Sequence, residues 1–224
     1  KITGHDKIAR FQGSGSLALE MMTLNFLYGA VLIIKTGYYS DRLYNISLSA
    51  KKNFNFIKKL VYVDIDEAEQ ISGKFDWVFS CYTETSRGFK IELKKVKKIS
   101  NRLKSKLMLD ATASVGLEEN HDLADAIGFS SCKGLFGLTG GAFICYNQKQ
   151  KNEIDSFYLN LENHLNKKMT GPYHTICSLF EVLKNHENLK QSVFINKSKF
   201  IKKFNKHVIY PNSIQPNICT YSKK

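Results

Sequence analysis

A chain of 224 residues, 43% hydrophobic and 12% aromatic, has the apolar surface for one sizeable core, or for a large domain and part of a second. No stretch approaches eighteen uncharged apolar residues, so no membrane partner is expected, and five scattered cysteines without a CxxC pair argue against a disulfide framework or a metal site and for reduced thiols in the cytoplasm. The formal charge of +13 falls in short lysine clusters such as 51–59, 94–98 and 197–206; with no nucleic-acid-binding signature, it is read as solvated faces and steering of anionic substrates.

In chain order, LALEMMTLNFL (17–27) has apolar residues at helical spacing just after a Gly/Ser turn, and AVLIIKT (30–36) is a strand-sized β-branched run. RLYNISLSAKK (42–52) reads as a helix, LVYVD (60–64) and FDWVFSCYTE (75–84) as strands, and IELKKVKKISNRLK (91–104) as an amphipathic helix. KLMLDATAS (106–114) is a buried strand running into a polar turn, followed by strands AIGFSSCK (126–133) and GAFICYN (141–147). Such alternation predicts an α/β fold with a mostly parallel sheet covered on both faces. Beyond Gln148 the spacing predicts long helices over 151–168 and 173–205, then a Pro-marked turn and a strand NICTYS at 217–222.

In a sheet of this kind ligands sit at the carboxyl ends of the strands, so the residues that follow each strand carry the chemical reading. Ser14, Gly15 and Ser16 stand at a helix start, where free N–H groups hold a phosphate or, more plainly, where a serine caps a helix. Asp110 ends an apolar strand and either caps a turn or pairs with a cationic ligand atom. Lys133, among Ser130, Ser131, Cys132 and glycines, is either a surface lysine or a partly desolvated amine able to attack a carbonyl. Thr85 and Ser86, in the polar loop TETSRG, can hydrogen-bond a ring substituent or cap the next turn.

Taken in order, these stretches resemble the class V aminotransferases, the branch of fold type I pyridoxal-phosphate enzymes that includes alanine:glyoxylate, serine:pyruvate and 2-aminoethylphosphonate:pyruvate transaminases. FQGSGSLALE is similar to their glycine-rich phosphate loop, GYYSDR (37–42) to their Gly-x-aromatic-x-x-Arg turn, and YTETSRG to their ETS-type loop. LMLDATASVG resembles their strand with aspartate, SSCKGLFGLTGG their lysine segment, and PYHTICSLFEVL (172–183) their Tyr-His-Thr helix start. The six together span roughly residues 10–185.

The resemblance implies a three-layer large domain, pyridoxal 5′-phosphate as cofactor and Lys133 as the lysine that bonds it. It implies Asp110 at the pyridine nitrogen, Tyr39 stacked on the ring, Ser14, Gly15 and Ser16 on the phosphate, Thr85 or Ser86 near the ring hydroxyl, and Ser131, beside the lysine, as a further cofactor-binding residue. Tyr173 and Thr175 would reach the phosphate bound by a neighbouring subunit, hence a homodimer with shared sites. The expected reaction moves an amino group from a small donor (2-aminoethylphosphonate, alanine or serine) to a 2-oxo acid such as pyruvate or glyoxylate; the surplus positive charge and the lysine segment favour the phosphonate. Residues 1–150 would form the cofactor-binding domain, 151–195 its completing and linking helices, and 196–224 the start of a small α+β domain.

Departures from the pattern are Cys132 beside the lysine, a shorter Asp-to-Lys interval, Arg87 in place of a small residue, and no arginine after Arg102 to take a substrate carboxylate. With no initiator Met and an abrupt end at CTYSKK, flanking segments are expected to be missing. The alternatives are a lyase or desulfurase of the same fold, a catalytically impaired cofactor-binding relative, or a basic nucleic-acid-binding or scaffold protein.

Overall fold

The computed structural model describes residues 2–166, 169–210 and 214–221. Its centre is a seven-stranded sheet built from β1 (Lys7–Gln12), β2 (Gly29–Ile34), β3 (Ile57–Val63), β4 (Trp77–Cys81), β7 (Lys106–Asp110), β8 (Ala126–Ser130) and β9 (Gly141–Tyr146). The spatial order is β1-β9-β8-β7-β4-β2-β3, and β9 alone runs against the other six. A two-stranded ribbon, β5 (Thr83–Glu84) and β6 (Phe89–Lys90), stands beside it.

The central strands are apolar on both faces because both faces are covered. Val31 and Ile33 of β2 join one core layer with Leu19, Met22, Trp77, Phe79 and Met108. Leu32 and Ile34 join the other with Val78, Val96, Ile99, Leu107 and Leu109. The helix α1 (Gly15–Phe26) buries nine of its twelve residues, six of them in the first layer, which explains why it reads as almost uniformly apolar. In contrast, α4 (Leu93–Arg102) buries Leu93, Val96 and Ile99 in the second layer and leaves its lysines outside. The other helices of this half are α2 (Tyr38–Phe54) and α3 (Ile65–Gln70).

Three short elements escape the sequence reading. Strand β1 alternates exposed Lys7, Ile8 and Arg10 with buried Ala9 and Phe11, a period-two signal hidden by the charges that suit an edge strand. The six-residue α3 and the two-residue β6 are too short to show a period.

The C-terminal third departs further from expectation. No long helix forms over 151–168 among the described residues; only α5 (Leu161–Leu165) does, and Lys167 and Lys168 lie outside them. Asparagines hold the remainder irregularly against α1: Asn152 Nδ2 donates to the carbonyls of Leu24 and Leu27, both at 2.7 Å, and Asn25 Nδ2 donates to Leu159 O at 2.9 Å. Side-chain amides that bond backbone directly compete with helix hydrogen bonds. The second long helix is two, α6 (Tyr173–Leu183) and α7 (His186–Phe204), with Asn185 between them in a non-helical conformation. Residues 217–221 form no strand; Asn217 instead bonds Glu118 and Leu117, and Ser222 lies outside the described residues.

One buried pair gives the fold a pH dependence. His121 bonds Ser114 Oγ through Nε2 at 2.8 Å beneath the Tyr82 ring, and His5 Nε2 bonds Ala124 O at 3.0 Å. Burial, with the neighbouring His5 adding to it, pushes His121 down to about 4, while Asp122 opposes. A histidine with a depressed folded-state pKa is taken up neutral, so its stabilising contribution is present above the unfolded value near 6.5 and is lost as pH falls toward 4. The unaltered chain is expected to lose about 2 kcal/mol between pH 6.5 and 5, at about 1.4 kcal/mol per pH unit. His121→Gln should flatten that decline; parallel urea-midpoint curves for the two chains would show that the ring is not buried neutral.

Candidate active site

The six strands that run one way, β1, β3, β2, β4, β7 and β8, end at one edge of the sheet, and the segments after β2, β4, β7 and β8 meet the start of α1, which follows β1, around a cavity of about 400 Å³. Its walls come from Gly13–Ser16, Tyr39 and Arg42 on α2, Thr83 and Thr85 after β4, Asp110 and Thr112 after β7, and Ser130, Cys132 and Lys133 after β8. Thr139–Gly141 close the remaining side.

At the head of α1, Ser14 takes the N-cap position in extended conformation, yet its side chain caps nothing and the first turn carries no acidic residue. The free N–H groups of that turn therefore face the cavity without an internal counter-charge. Gly15 has no room for a side chain, since a Cβ there would stand 2.8 Å from the Thr112 side chain.

Asp110 is the last residue of β7 and only 4% exposed; its Oδ1 accepts the Thr112 N–H at 2.9 Å. Burial pushes its carboxyl above the ordinary range; hydrogen bonding from Thr112 and the charge of Arg42 oppose this, and Glu84 adds to it. No basic side chain forms a salt bridge with it among the described residues. A buried carboxylate with that deficit suits a cationic ligand atom.

Lys133 follows β8 in a tight loop closed by Phe136 N–H to Lys133 O at 3.0 Å and Gly137 N–H to Ser131 O at 2.9 Å. The loop backbone presses on the turn after β7: a Cβ on Gly116, whose φ is +93°, would lie 2.4 Å from Gly134 O, and one on Gly134 would lie 2.2 Å from Val115 O. These two glycines set Lys133 beside the Asp110 strand. The lysine is exposed rather than partly desolvated as its strand-end position suggested, and among the described residues it makes no hydrogen bond or ion pair.

Of the residues singled out in the sequence, Ser14, Gly15, Ser16, Tyr39, Thr85, Asp110 and Lys133 line one cavity. Ser86 does not; its hydroxyl donates to Glu84 Oε1. Ser131 is fully buried, donating to Leu138 O at 2.5 Å and accepting from Gly141 N–H at 3.2 Å, so it shapes the lysine loop from behind. Thr175, at the start of α6, donates to Thr139 O at 3.2 Å, and Tyr173 is 71% exposed on the outer surface. Arg87 spans from Thr36 O to the Tyr210 hydroxyl outside the cavity. Thr83, Thr112 and Thr139 are wall residues that sequence reasoning did not single out, and Arg42 entered it only as the last residue of the GYYSDR motif, with no role assigned. Arg42 had a usable signal, lying one helical turn after Tyr39 on the same face.

No family model matches this chain. It is 26% identical over 197 residues to a 2-aminoethylphosphonate–pyruvate transaminase of Pseudomonas aeruginosa, a match covering 79% of this chain and 53% of the relative. The chain thus spans about half the length of the curated relatives it matches. Among solved structures, a subgroup IV aspartate aminotransferase from Thermus thermophilus superimposes with a TM-score of 0.82 at 17% identity, covering 98% of this chain and 69% of that one. An alanine–glyoxylate aminotransferase from Nostoc sp. gives 0.78 at 17% identity, covering 96% and 66%. The chain has the fold of the fold type I aminotransferases, and the class V resemblance carried by its six motifs is upheld.

Proposed function

We propose that this chain is the cofactor-binding part of a pyridoxal-phosphate-dependent aminotransferase that moves an amino group from a small donor to a 2-oxo acid. The observation that carries the reading is one cavity holding a helix N-terminus without a side-chain cap, a buried carboxylate and a lysine that, among the described residues, have no salt-bridge partner. That set fits pyridoxal phosphate: a dianion for the helix start, a basic ring nitrogen for Asp110 and a carbonyl carbon for Lys133. When bound, the group supplies an electron sink that makes loss of a proton from the donor carbon feasible.

The residues then divide the work. Ser14, Gly15 and Ser16 hold the phosphate through backbone N–H groups and hydroxyls. Asp110 would hold a proton at the ring nitrogen, and that positive charge would offset the cost of burying the carboxylate. Tyr39 and Thr85, both in the cavity wall, would cover a face of the ring and donate toward its hydroxyl. Lys133 Nζ would hold the cofactor's carbonyl carbon and, as an amine, could serve as the base that takes the proton from the donor carbon.

A phosphonate donor with pyruvate as acceptor is the favoured pair, supported by the relatives matched and by the +13 charge. Tyr173, exposed as the first residue of α6, supports a homodimer in which that helix start faces a second copy's cofactor. Residues 1–150 act as the cofactor domain, 151–195 complete and link it, and 196–224 lead into a smaller domain.

Reduction with borohydride tests the assignment directly. The purified chain incubated with pyridoxal phosphate should develop visible absorbance, and after reduction the pyridoxyl label should map to Lys133 by peptide mass. A label on another lysine, or none, would sink the reading.

A further inference from the structure

The first turn of α2 is held by a carboxylate from another segment. Glu84, with none of its surface exposed, accepts the Thr36 hydroxyl at 2.9 Å, the Tyr39 N–H at 3.2 Å and the Ser40 N–H at 3.4 Å, together with the Ser86 hydroxyl. Among the described residues it has no basic partner, so its charge is balanced by the α2 N-terminus and these hydroxyls. Gly37 permits the approach, because a Cβ there would sit 2.9 Å from the Glu84 side chain. This anchoring fixes the rotation of α2 about its axis and with it the direction of Arg42.

Arg42 reaches the cavity, where Nη1 donates to Ser16 Oγ at 3.0 Å and the guanidinium stands 5.1 Å from the Tyr39 ring centroid and 5.4 Å from that of Tyr38. No carboxylate neutralises it among the described residues. A serine hydroxyl has one proton and two lone pairs. With a lone pair of Ser16 taken by the guanidinium, its own O–H remains free to donate, and a charged donor behind it strengthens that outgoing bond.

We infer that Arg42 is a positioning residue that acts through Ser16: it orients the serine proton toward the phosphate dianion at the head of α1 and adds a positive charge there, so that it selects phosphorylated over unphosphorylated pyridoxal. The inference rests on the cofactor reading above. Its chemistry is distinct from that of Lys133 and Asp110, since Arg42 addresses only the anionic end of the ligand.

Equilibrium titration of the unaltered chain, Arg42→Ala, Ser16→Ala and the double variant with pyridoxal phosphate and with pyridoxal, followed by absorbance, tests it. Arg42→Ala should weaken pyridoxal phosphate by about 10- to 100-fold, the scale of a hydrogen bond to a charged group, while pyridoxal changes by less than about threefold. The double variant should lose little beyond Arg42→Ala, because the serine depends on the arginine for its orientation, and more than Ser16→Ala, which leaves the charge in place. Arg42→Met, which keeps the packing stem without the charge, should reproduce the selective loss if the alanine variant does not fold. Equal weakening of both ligands, or additive losses, would overturn the inference and leave the cofactor reading standing. An unchanged pyridoxal phosphate affinity with a raised KM for a phosphonate donor would also overturn it, moving Arg42 to the substrate. Failure of the unaltered chain to bind either ligand would instead bring down the cofactor reading, and this inference with it.

Discussion

Lys133→Ala should lower transamination by about 10⁴-fold or more, since it removes both the covalent attachment and a general base, a function worth about 10²–10⁴ alone. Folding should change by no more than about 0.5 kcal/mol, because the side chain is exposed and makes no hydrogen bond or ion pair among the described residues. Steady-state rates with 2-aminoethylphosphonate and pyruvate, read alongside urea unfolding, separate the two effects. Lys133→Arg keeps the charge but cannot bond a carbonyl under these conditions, and it should be as inactive as the alanine variant. Residual activity within tenfold of the unaltered chain in either variant would remove Lys133 from the chemistry.

Asp110→Asn should move activity and stability in opposite directions. An amide cannot hold the ring-nitrogen proton, so turnover should fall by about 10²-fold or more while cofactor still binds through the phosphate and Lys133. In the cofactor-free chain the same change removes a buried carboxylate that has no salt-bridge partner among the described residues. Burial raises the folded-state pKa of Asp110, so its favourable contribution is present below the unfolded value, near 4, and is lost as pH rises through the folded one. The cofactor-free variant should therefore be the more stable of the two at pH 7, with the gap closing as pH falls toward 4. Adding pyridoxal phosphate should reverse the order, because only the carboxylate gains a cationic partner. An Asn variant that is no more stable than the unaltered chain at any pH would show that the carboxylate is solvated, and an unchanged turnover would take it out of the site. Unfolding curves at several pH values, with and without cofactor, decide the first point.

Much of this molecule is legible without coordinates. The apolar runs GAVLII, WVFSC and KLMLD have no polar face to offer water, so a sheet covered on both sides is the arrangement that buries them. The ordered motifs around Ser14, Tyr39, Thr85, Asp110 and Lys133 each follow or precede such a run, and a parallel sheet necessarily brings those ends to one edge. Local pattern and global site agree there because the spacing of strands and helices already encodes the topology.

Where local pattern and tertiary partners compete, only the fold decides. The stretch 151–168 has helical spacing, yet Asn152 and Asn25 bind carbonyls more than a hundred residues away in sequence, an alternative no window of residues can display. Strand β1 is recognisable once β9 is seen beside it, since an edge strand draws its register from its neighbour. The exposure of Lys133 and its seat beside Asp110 depend on backbone contact between Gly134 and Gly116, and the direction of Arg42 depends on Glu84 gripping the first turn of α2. The sequence by itself determined which groups are present and at which edge of the sheet they gather, because hydrophobic periodicity fixes elements and order. Which of them face one another across the cavity was decided by close packing and buried hydrogen bonds, which couple residues far apart in the chain and leave no periodic trace along it.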